Sequence, residues 1–229
     1  MKTRLSLKTA YITVSLLIFS LVITVIDAVV HPGYFTKIPL KILFFLALPM
    51  LFFVVYRQEF AEFKALFTFK KKGFLKSLLL GVLIYAVIVG GYLLTKNIID
   101  YSNVTGSLKS GMGITADNFI YVALYISLMN SFLEEFFFRG FGFITLKKFT
   151  GRIFAYIFSS SLFAVYHIGM LIGMFSLPVL ILLLAGLIAG GCIFCFLNEK
   201  CGNIYPSWFV HMFANFAINT VGFILFGIV

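Results

Sequence analysis

Seven residues in three apolar stretches have the types and spacing of a chemical site. They are Glu134, Glu135 and Arg139 in "SFLEEFFFRG" (131–140), Phe163 and His167 in "SSSLFAVYHIG", and His211 and Asn215 in "SWFVHMFANF". An ionisable side chain at the centre of a bilayer costs about 2.5 to 3.5 kcal/mol on insertion scales, so such groups usually face a protein interior and serve a function. We therefore treat the set as one candidate site.

The first stretch indicates a division of labour between two adjacent carboxylates. Glu135 and Arg139 are four residues apart, so they share a helix face and are expected to form an ion pair. Glu134 points about 100° away from Glu135 on an α-helix and has no obvious cation of its own. It is therefore the candidate general base for a water molecule.

The other two stretches supply groups that can assist such a base. His167 can hold or help deprotonate the water, and the ring of Phe163, one turn earlier, can pack beside it. His211 and Asn215 present two polar tips on one helix face. They are candidate donors to the oxyanion of a carbonyl under attack, a role worth about 3 to 4 kcal/mol per donor in other enzymes.

Three other interpretations of these residues stay open. Glu134, His167 and His211 are also a possible zinc set, although there is no HExxH helix and the expected cofactor is none. Ser159–Ser161 lie near His167, but helical serines commonly bond backbone carbonyls, so a serine nucleophile is weaker chemistry. The third interpretation is that the polar groups only hold the helices together.

The composition determines which elements must position these residues. The chain has 62% apolar and 11% charged residues, far from soluble usage, so it is predicted to be an all-α, polytopic membrane bundle. We predict seven spans in a single domain over 1–229, with the motif-bearing core at 118–227. The spans are placed near 10–30, 39–56, 74–95, 118–145, 153–173, 175–197 and 205–227.

A net charge of +10 is compatible with nucleic-acid binding, but the basic residues here punctuate apolar runs. We therefore interpret them as markers of membrane topology. With the N-terminus inside, 13 lysines and arginines, including Lys2, Arg4 and Lys72, fall on the cytoplasmic side and four on the other. Lys41 is counted among the four. This places the C-terminus outside and the protein in the cell membrane.

Several segments receive more modest predictions. Residues 57–74 are either a helix lying on the anionic leaflet or an ordinary charged loop. Residues 96–117 are the longest hydrophilic connection, and Asp27 and His31 are boundary residues. Cys192, Cys195 and Cys201 are expected to be packing residues and not a disulfide framework or metal site.

Depth along the helices brings the polar groups into one layer. Counting inward from the nearest basic residue at 1.5 Å per residue, Glu134 and His167 lie roughly 20 to 22 Å deep. His211 and Asn215 lie at most roughly 16 and 22 Å deep, because part of their count runs through a loop. Three helices from different parts of the chain thus carry polar groups at a similar level, which favours a common site.

The three motifs, Glu134-Glu135-xxx-Arg139, Phe163-xxx-His167 and His211-xxx-Asn215, resemble those of the CAAX prenyl protease and bacteriocin-processing (CPBP, or Abi) family of intramembrane glutamic endopeptidases, similar to CAAX prenyl protease 2. The resemblance covers residues 134–215, and the first three spans add nothing to it. It implies a helical membrane enzyme with a polar cavity open to the cytoplasmic side. It also implies that Glu134 and His167 activate water, that His211 and Asn215 bind the oxyanion, and that Glu135 and Arg139 support them.

The resulting prediction is an intramembrane endopeptidase acting on a CAAX-like, leader, signalling or bacteriocin peptide, with the bilayer and no nucleic acid as partner. A non-catalytic bacteriocin-immunity or scaffold protein of the same fold is the second hypothesis. A proton-coupled transporter using Glu134 and His167 is the third, weakened by the lack of an evident internal repeat.

Overall fold

The computed structural model describes residues 2–71 and 73–229, with side chains from Leu7 onward. Within these residues it contains helices and no strands, and seven of the helices are long and apolar enough to cross a membrane. The predicted all-α polytopic bundle is confirmed. The side chains of Lys2, Arg4 and Lys72, which were counted in the topology, lie outside the described residues.

The helices are numbered here in chain order. They are α1 (Lys2–Val25, continued by π-helical Ile26–Val30), α2 (Tyr34–Val55), α3 (Phe60–Leu66), α4 (Phe74–Thr95), α5 (Ser102–Met112), α6 (Phe119–Thr150), α7 (Arg152–Leu171), α8 (Leu177–Cys201) and α9 (Tyr205–Leu225).

The connection at 96–117 is more ordered than predicted. It contains α5, which starts where Asp100 Oδ1 accepts a hydrogen bond of 2.9 Å from the backbone N–H of Ser102. The helix ends at Gly113, whose φ of 64° is a left-handed conformation that glycine adopts without strain. Local capping, which hydropathy does not report, decides the structure of this segment.

Helix α6 departs from a regular α-helix in two places. Ile126–Asn130 and Glu135–Thr145 are π-helical, with an α-helical turn between them at Ser131–Glu134. A π-helix has more residues per turn, so side chains after each π-helical stretch are rotated relative to their α-helical positions. The angle of about 100° predicted between Glu134 and Glu135 assumed a regular α-helix, so it is not an accurate description of this helix.

Phenylalanine rings fill the interior between α2, α6 and α7. Phe45 stacks on Phe137 with ring centroids 4.2 Å apart, and it meets Phe138 and Tyr166 edge to face at 5.6 and 5.2 Å. Edge-to-face and stacked pairs of this kind fix ring orientation as well as burying apolar area. This packing positions Tyr166 beside the glutamates of α6.

Of the two alternatives for residues 57–74, the segment contains a short helix, α3, and two of its phenylalanines face the protein. In α3 and just after it, Phe63 and Phe67 pack against Phe136 at 6.1 and 5.5 Å, while Phe60 is 44% exposed. The segment is therefore docked on α6 by its aromatic face.

A close helix crossing places the end of α7 against α1. A Cβ on Gly169 would lie 2.4 Å from the backbone oxygen of Thr24, so only glycine allows the two helices to approach this closely. Thr24 Oγ1 also donates a 3.3 Å hydrogen bond to the carbonyl of Tyr166. The crossing fixes the helix turn that carries His167.

Charged side chains gather at one end of the bundle, where α1, α7 and α9 begin and α6 and α8 end. We call Lys8, Glu59, Glu62, Lys147, Lys148, Arg152 and Glu199 the edge cluster; its members are joined by ion pairs of 2.6 to 3.1 Å.

Candidate active site

Glu135 is the most fully bonded carboxylate of the predicted site. Its Oε1 lies 3.3 Å from an Arg139 nitrogen and accepts a 2.9 Å hydrogen bond from His211 Nδ1. Its Oε2 accepts a hydrogen bond from the Ser207 hydroxyl, which in turn accepts one of 2.7 Å from Asn198 Nδ2. The predicted Glu135–Arg139 ion pair is present, and Glu135 links α6 to α9.

Arg139 is fully buried and is surrounded by aromatic faces. Its guanidinium carbon lies 3.9 Å from the ring centroid of Phe163 and 4.9 Å from that of Phe194. None of its nitrogens has a hydrogen-bond partner of good geometry among the described residues. The positive charge is therefore balanced by Glu135 and by the negative faces of the rings.

Glu134 has one oxygen held and one oxygen free. Oε1 accepts hydrogen bonds of 2.7 Å from Asn130 Nδ2 and 3.1 Å from the Tyr166 hydroxyl. Oε2 has no hydrogen-bond partner among the described residues, and it lies 3.7 Å from His211 Nε2. The side chain is thus fixed in direction, with Oε2 available for chemistry.

The prediction that Glu134 lacks a cation is wrong. Lys41 of α2 places its Nζ 3.6 Å from Glu134 Oε1 and donates a 2.7 Å hydrogen bond to Asn130 Oδ1. Lys41 is buried in the bundle and is not at an outer loop. The second span, which adds nothing to the family resemblance, thus contributes a residue to the site.

The two histidines are brought together around one aromatic ring. Phe163 packs edge to face against His167 at 4.6 Å and against His211 at 5.7 Å between centroids. His167 Nδ1 lies 2.7 Å from the carbonyl oxygen of Phe163, and His211 Nδ1 lies on Glu135. Because both Nδ1 atoms face acceptors, both carry hydrogen, and each Nε2 is left for another partner.

Asn215 is placed one helical turn beyond His211, where its contact is with the backbone of α6. Its Nδ2 donates a 3.1 Å hydrogen bond to the Ile126 carbonyl, in the first π-helical stretch. Asn219 continues this row, donating to the carbonyl of Ala123 at 3.2 Å and to Ser127 Oγ at 3.0 Å. One amide hydrogen of Asn215 therefore already has a structural partner.

The alternative chemistries find less support in the geometry. Ser159 Oγ donates a 2.7 Å hydrogen bond to the Phe138 carbonyl, as expected of a helical serine. Among the described residues, no group of three or more His, Cys, Asp or Glu is arranged to hold a metal ion. Cys192, Cys195 and Cys201 are not in disulfides.

Two surface cavities lie away from these residues. One of about 490 Å³ is lined by residues 96–102, and one of about 290 Å³ is lined by Asp27, His31 and parts of α5 and α7. Neither is lined by Glu134, His167 or His211, and Glu134 itself is only 2% exposed. The glutamates are closed in by packed side chains, and a cytoplasm-facing cavity stays a prediction.

Asp27 differs from its interpretation as a boundary residue. It forms a 2.8 Å ion pair with Lys37 of α2, and both side chains are 5% exposed. This buried pair crosses between α1 and α2 and is separate from the glutamates.

Comparison with known proteins identifies the part of the chain that carries this site. Residues 116–217 match the family model described as Rce1-like, type II CAAX prenyl endopeptidase Rce1-like. This segment, somewhat less than half of the chain, is therefore similar to the Rce1-like family. The predicted resemblance to CAAX-type intramembrane proteases is confirmed, and so is a multi-pass membrane protein. No curated protein and no solved structure gave a match to the chain.

Sequence reasoning missed several members of the site. We call Lys41, Asn130, Glu134, Glu135, Arg139, Tyr166, His167, Ser207 and His211 the interior cluster. Lys41 lies outside the Rce1-like segment, but it is an ionisable residue in the apolar run "PLKILFFLAL". The rule that singled out Glu134 as a charge within a span would have found it. Ser207 precedes His211 by four residues, so helical spacing was its signal.

Proposed function

We propose that this protein is an intramembrane endopeptidase in which Glu134 activates a water molecule to hydrolyse a peptide bond. The observation that carries the proposal is the asymmetry of Glu134: Oε1 is held by Asn130 and Tyr166, while Oε2 is unbonded and 3.7 Å from His211 Nε2. A base whose direction is fixed and whose reactive oxygen is free is what general base catalysis needs.

The reaction follows from these positions. Glu134 Oε2 takes a proton from water, the resulting hydroxide adds to the carbonyl carbon, and the carbonyl oxygen becomes an oxyanion. The carbon–nitrogen bond then breaks, and the proton on Glu134 passes to the departing amine. His167 shares the water through Nε2, because its Nδ1 is bonded to the Phe163 carbonyl.

His211 and Asn215 are the proposed oxyanion donors. With Nδ1–H of His211 bonded to Glu135, Nε2 donates only in the imidazolium form, in which the ring charge faces both carboxylates. Asn215 has a second amide hydrogen besides the one on the Ile126 carbonyl. Glu135 and Arg139 act by orienting His211, as the acid does in a carboxylate–histidine pair.

The proposed substrate is a peptide segment that reaches the bundle from the membrane, such as a CAAX-like tail, a leader, a signalling peptide or a bacteriocin. We propose that the edge cluster faces the cytoplasm of a cell membrane, because lysines and arginines concentrate on that side. The second candidate is a non-catalytic immunity or scaffold protein, favoured by the closed packing over the glutamates. A proton-coupled transporter is the third.

Purified protein in liposomes, assayed with a panel of fluorogenic peptides with and without a prenyl group, tests the proposal. We expect Glu134→Gln to lower cleavage by at least about 10²-fold, the usual contribution of a general base. Glu199→Gln, the same substitution in the edge cluster, is the matched control and is expected to cleave normally. Cleavage that survives in Glu134→Gln would overturn the mechanism.

The same preparation separates the alternatives. Wild-type protein that cleaves none of the peptides but protects cells against a peptide toxin is an immunity protein, and a pH-driven flux indicates a transporter. Activity lost to a chelator and restored by Zn²⁺ would replace the metal-free mechanism with the zinc alternative.

A further inference from the structure

Lys41 is a buried cation that none of the three sequence motifs contains. It lies in α2, within an apolar run, and is 7% exposed. Its Nζ makes a 2.7 Å hydrogen bond to Asn130 Oδ1, lies 3.6 Å from Glu134 Oε1, and is 5.3 Å from the ring centroid of Tyr166. The side chain therefore reaches from another helix to the proposed base.

The charges of the interior cluster pair off one to one. Arg139 is next to Glu135 at 3.3 Å, and Lys41 is next to Glu134 at 3.6 Å. In an interior of low dielectric, an unpaired carboxylate is strongly disfavoured, and a nearby opposite charge together with hydrogen bonds offsets part of that penalty. Lys41 therefore supplies the charge that an ionised Glu134 requires.

The contacts of Lys41 are confined to one side of the carboxylate. The Lys41 ammonium, the Asn130 amide and the Tyr166 hydroxyl all approach Oε1, and Oε2 is left without a partner among the described residues. Asn130 is the bridge, because it accepts from Lys41 and donates to Glu134. A rotation of the carboxylate would break these contacts together.

We propose that Lys41 is a positioning residue that holds Glu134 as a carboxylate with Oε2 directed at the reacting water, an inference that rests on the proposed function. Lys41 does not touch the reacting atoms in this arrangement. It acts through Asn130 and Oε1, so its removal lowers the fraction of Glu134 that is ionised and frees the carboxylate to rotate.

Lys37 provides a matched comparison one turn earlier on α2. It is also buried, and it pairs with Asp27 at 2.8 Å instead of with Glu134. Lys37→Met therefore removes a lysine of equal burial from the same helix, without touching the proposed base.

The first experiment measures thermal unfolding in detergent and does not require catalysis. We expect Lys41→Met to lower the apparent midpoint by on the order of 10 °C in the wild-type background, because Glu134 is left as an unpaired buried charge. In a Glu134→Gln background, Lys41→Met is expected to lower the midpoint by less than half as much. Lys37→Met should lower the midpoint by the same amount in both backgrounds. Equal losses for Lys41→Met in the two backgrounds would overturn the charge pairing.

The second experiment measures turnover of a cleaved peptide. We expect Lys41→Met to lower kcat by about 10²-fold with KM changed less than about 3-fold, since the loss is confined to the base. Lys41→Arg, which keeps the charge, should recover at least about 10-fold of that loss. Lys37→Met should keep kcat within about 3-fold of wild type. A Lys41→Met enzyme with wild-type kcat would overturn the positioning role and leave the proposed function standing.

A third variant protects the test against failure to fold. Asn130→Ala keeps Lys41 and removes the bridge, and it is expected to lower kcat by about 10-fold, because one hydrogen bond to a charged group is lost. If Lys41→Met does not fold, the activities of Asn130→Ala and Lys41→Arg test the positioning role of Lys41. Full activity in Asn130→Ala would overturn the proposal. If the wild-type protein cleaves no peptide, the role of Lys41 in catalysis is overturned together with the proposed function. The unfolding data then test the pairing of Lys41 with Glu134 by themselves.

Discussion

The interior cluster and the edge cluster both contain glutamates paired with lysine and arginine, but their charges are bonded in different ways. In the edge cluster, Glu199 accepts from Lys147 at 3.1 Å, from Arg152 at 3.0 Å and from Tyr156 at 2.8 Å, and the Arg152 side chain is 63% exposed. In the interior cluster, Glu135 and Arg139 are fully buried, yet Arg139 has no well-formed hydrogen bond among the described residues.

The difference separates ion pairs that stabilise little from ion pairs that are costly to break. At the edge, water screens the charges and can replace a lost partner, so a pair contributes about 0 to 1 kcal/mol. In the interior no water replaces a lost partner, so removing one leaves an uncompensated charge. Among the described residues, four of the six buried side-chain polar atoms without a hydrogen-bond partner belong to the interior cluster, namely Glu134 Oε2 and the three nitrogens of Arg139.

The largest predicted effect breaks the interior cluster. Glu135→Gln leaves Arg139 without its counter-charge, and we expect a loss of about 3 to 5 kcal/mol in unfolding free energy. This corresponds to a fall of on the order of 10 °C in the midpoint of thermal unfolding for a chain of this length. Glu199→Gln at the edge should lower the midpoint by about 3 °C or less.

A double variant shows whether the charge itself is responsible. Adding Arg139→Met to Glu135→Gln removes the uncompensated cation and is expected to recover part of the lost midpoint. Equal losses for Glu135→Gln and Glu199→Gln would mean that burial does not distinguish the two clusters.

The parts of the fold that were predictable depend on local or solvent-driven properties. Seven spans follow from hydropathy because the bilayer imposes apolar length regardless of how the helices pack. The Glu135–Arg139 pair follows from a spacing of four residues, which makes neighbours on either an α- or a π-helix. The convergence of His167 and His211 with the glutamates was expected from their similar depth.

The parts that were missed depend on contacts between distant segments. Lys41 is 93 residues from Glu134 in the sequence, and spacing says nothing about which helices pack together. In the π-helical stretch Ile126–Asn130 of α6, the Ile126 carbonyl accepts a hydrogen bond from Asn215 and Ser127 Oγ accepts one from Asn219, so the register of this stretch depends on its contact with α9. The same contact explains why Asn215, expected beside the oxyanion, lies on the Ile126 carbonyl.

An intermediate effect is predicted for Glu59, which lies at the edge but is itself largely buried. Burial raises its pKa, but hydrogen bonds from Lys8 and Lys148 outweigh this and hold the pKa below its ordinary value of 4.5. A carboxyl with a lower pKa in the folded state gives stability that is complete at neutral pH and is lost as the pH falls below 4.5.

This stability is measurable as a difference between two proteins. Wild type should exceed Glu59→Gln in the midpoint of thermal unfolding at pH 7, and the gap should narrow steadily below pH 4.5. Glu62→Gln is the control: Glu62 also pairs with Lys148 at 3.1 Å, but its side chain is 41% exposed, so a smaller gap is expected at pH 7. A gap for Glu59→Gln that is constant from neutral to acidic pH would rule out this carboxylate as the origin.

The smallest effect concerns the most exposed pair and its response to salt. Arg152→Gln removes the bond to Glu199, and we expect only a small fall in the midpoint of thermal unfolding at low ionic strength, because water competes for the exposed guanidinium. In 1 M salt the screening length is about 3 Å, so the difference from wild type should nearly vanish. The deficit of Glu135→Gln should persist in the same buffer, because ions do not enter a fully buried pair. The two clusters would be solvated alike if the loss of stability in Arg152→Gln were insensitive to salt, or if the loss in Glu135→Gln disappeared in high salt. In that case Glu134 would need no buried cation such as Lys41.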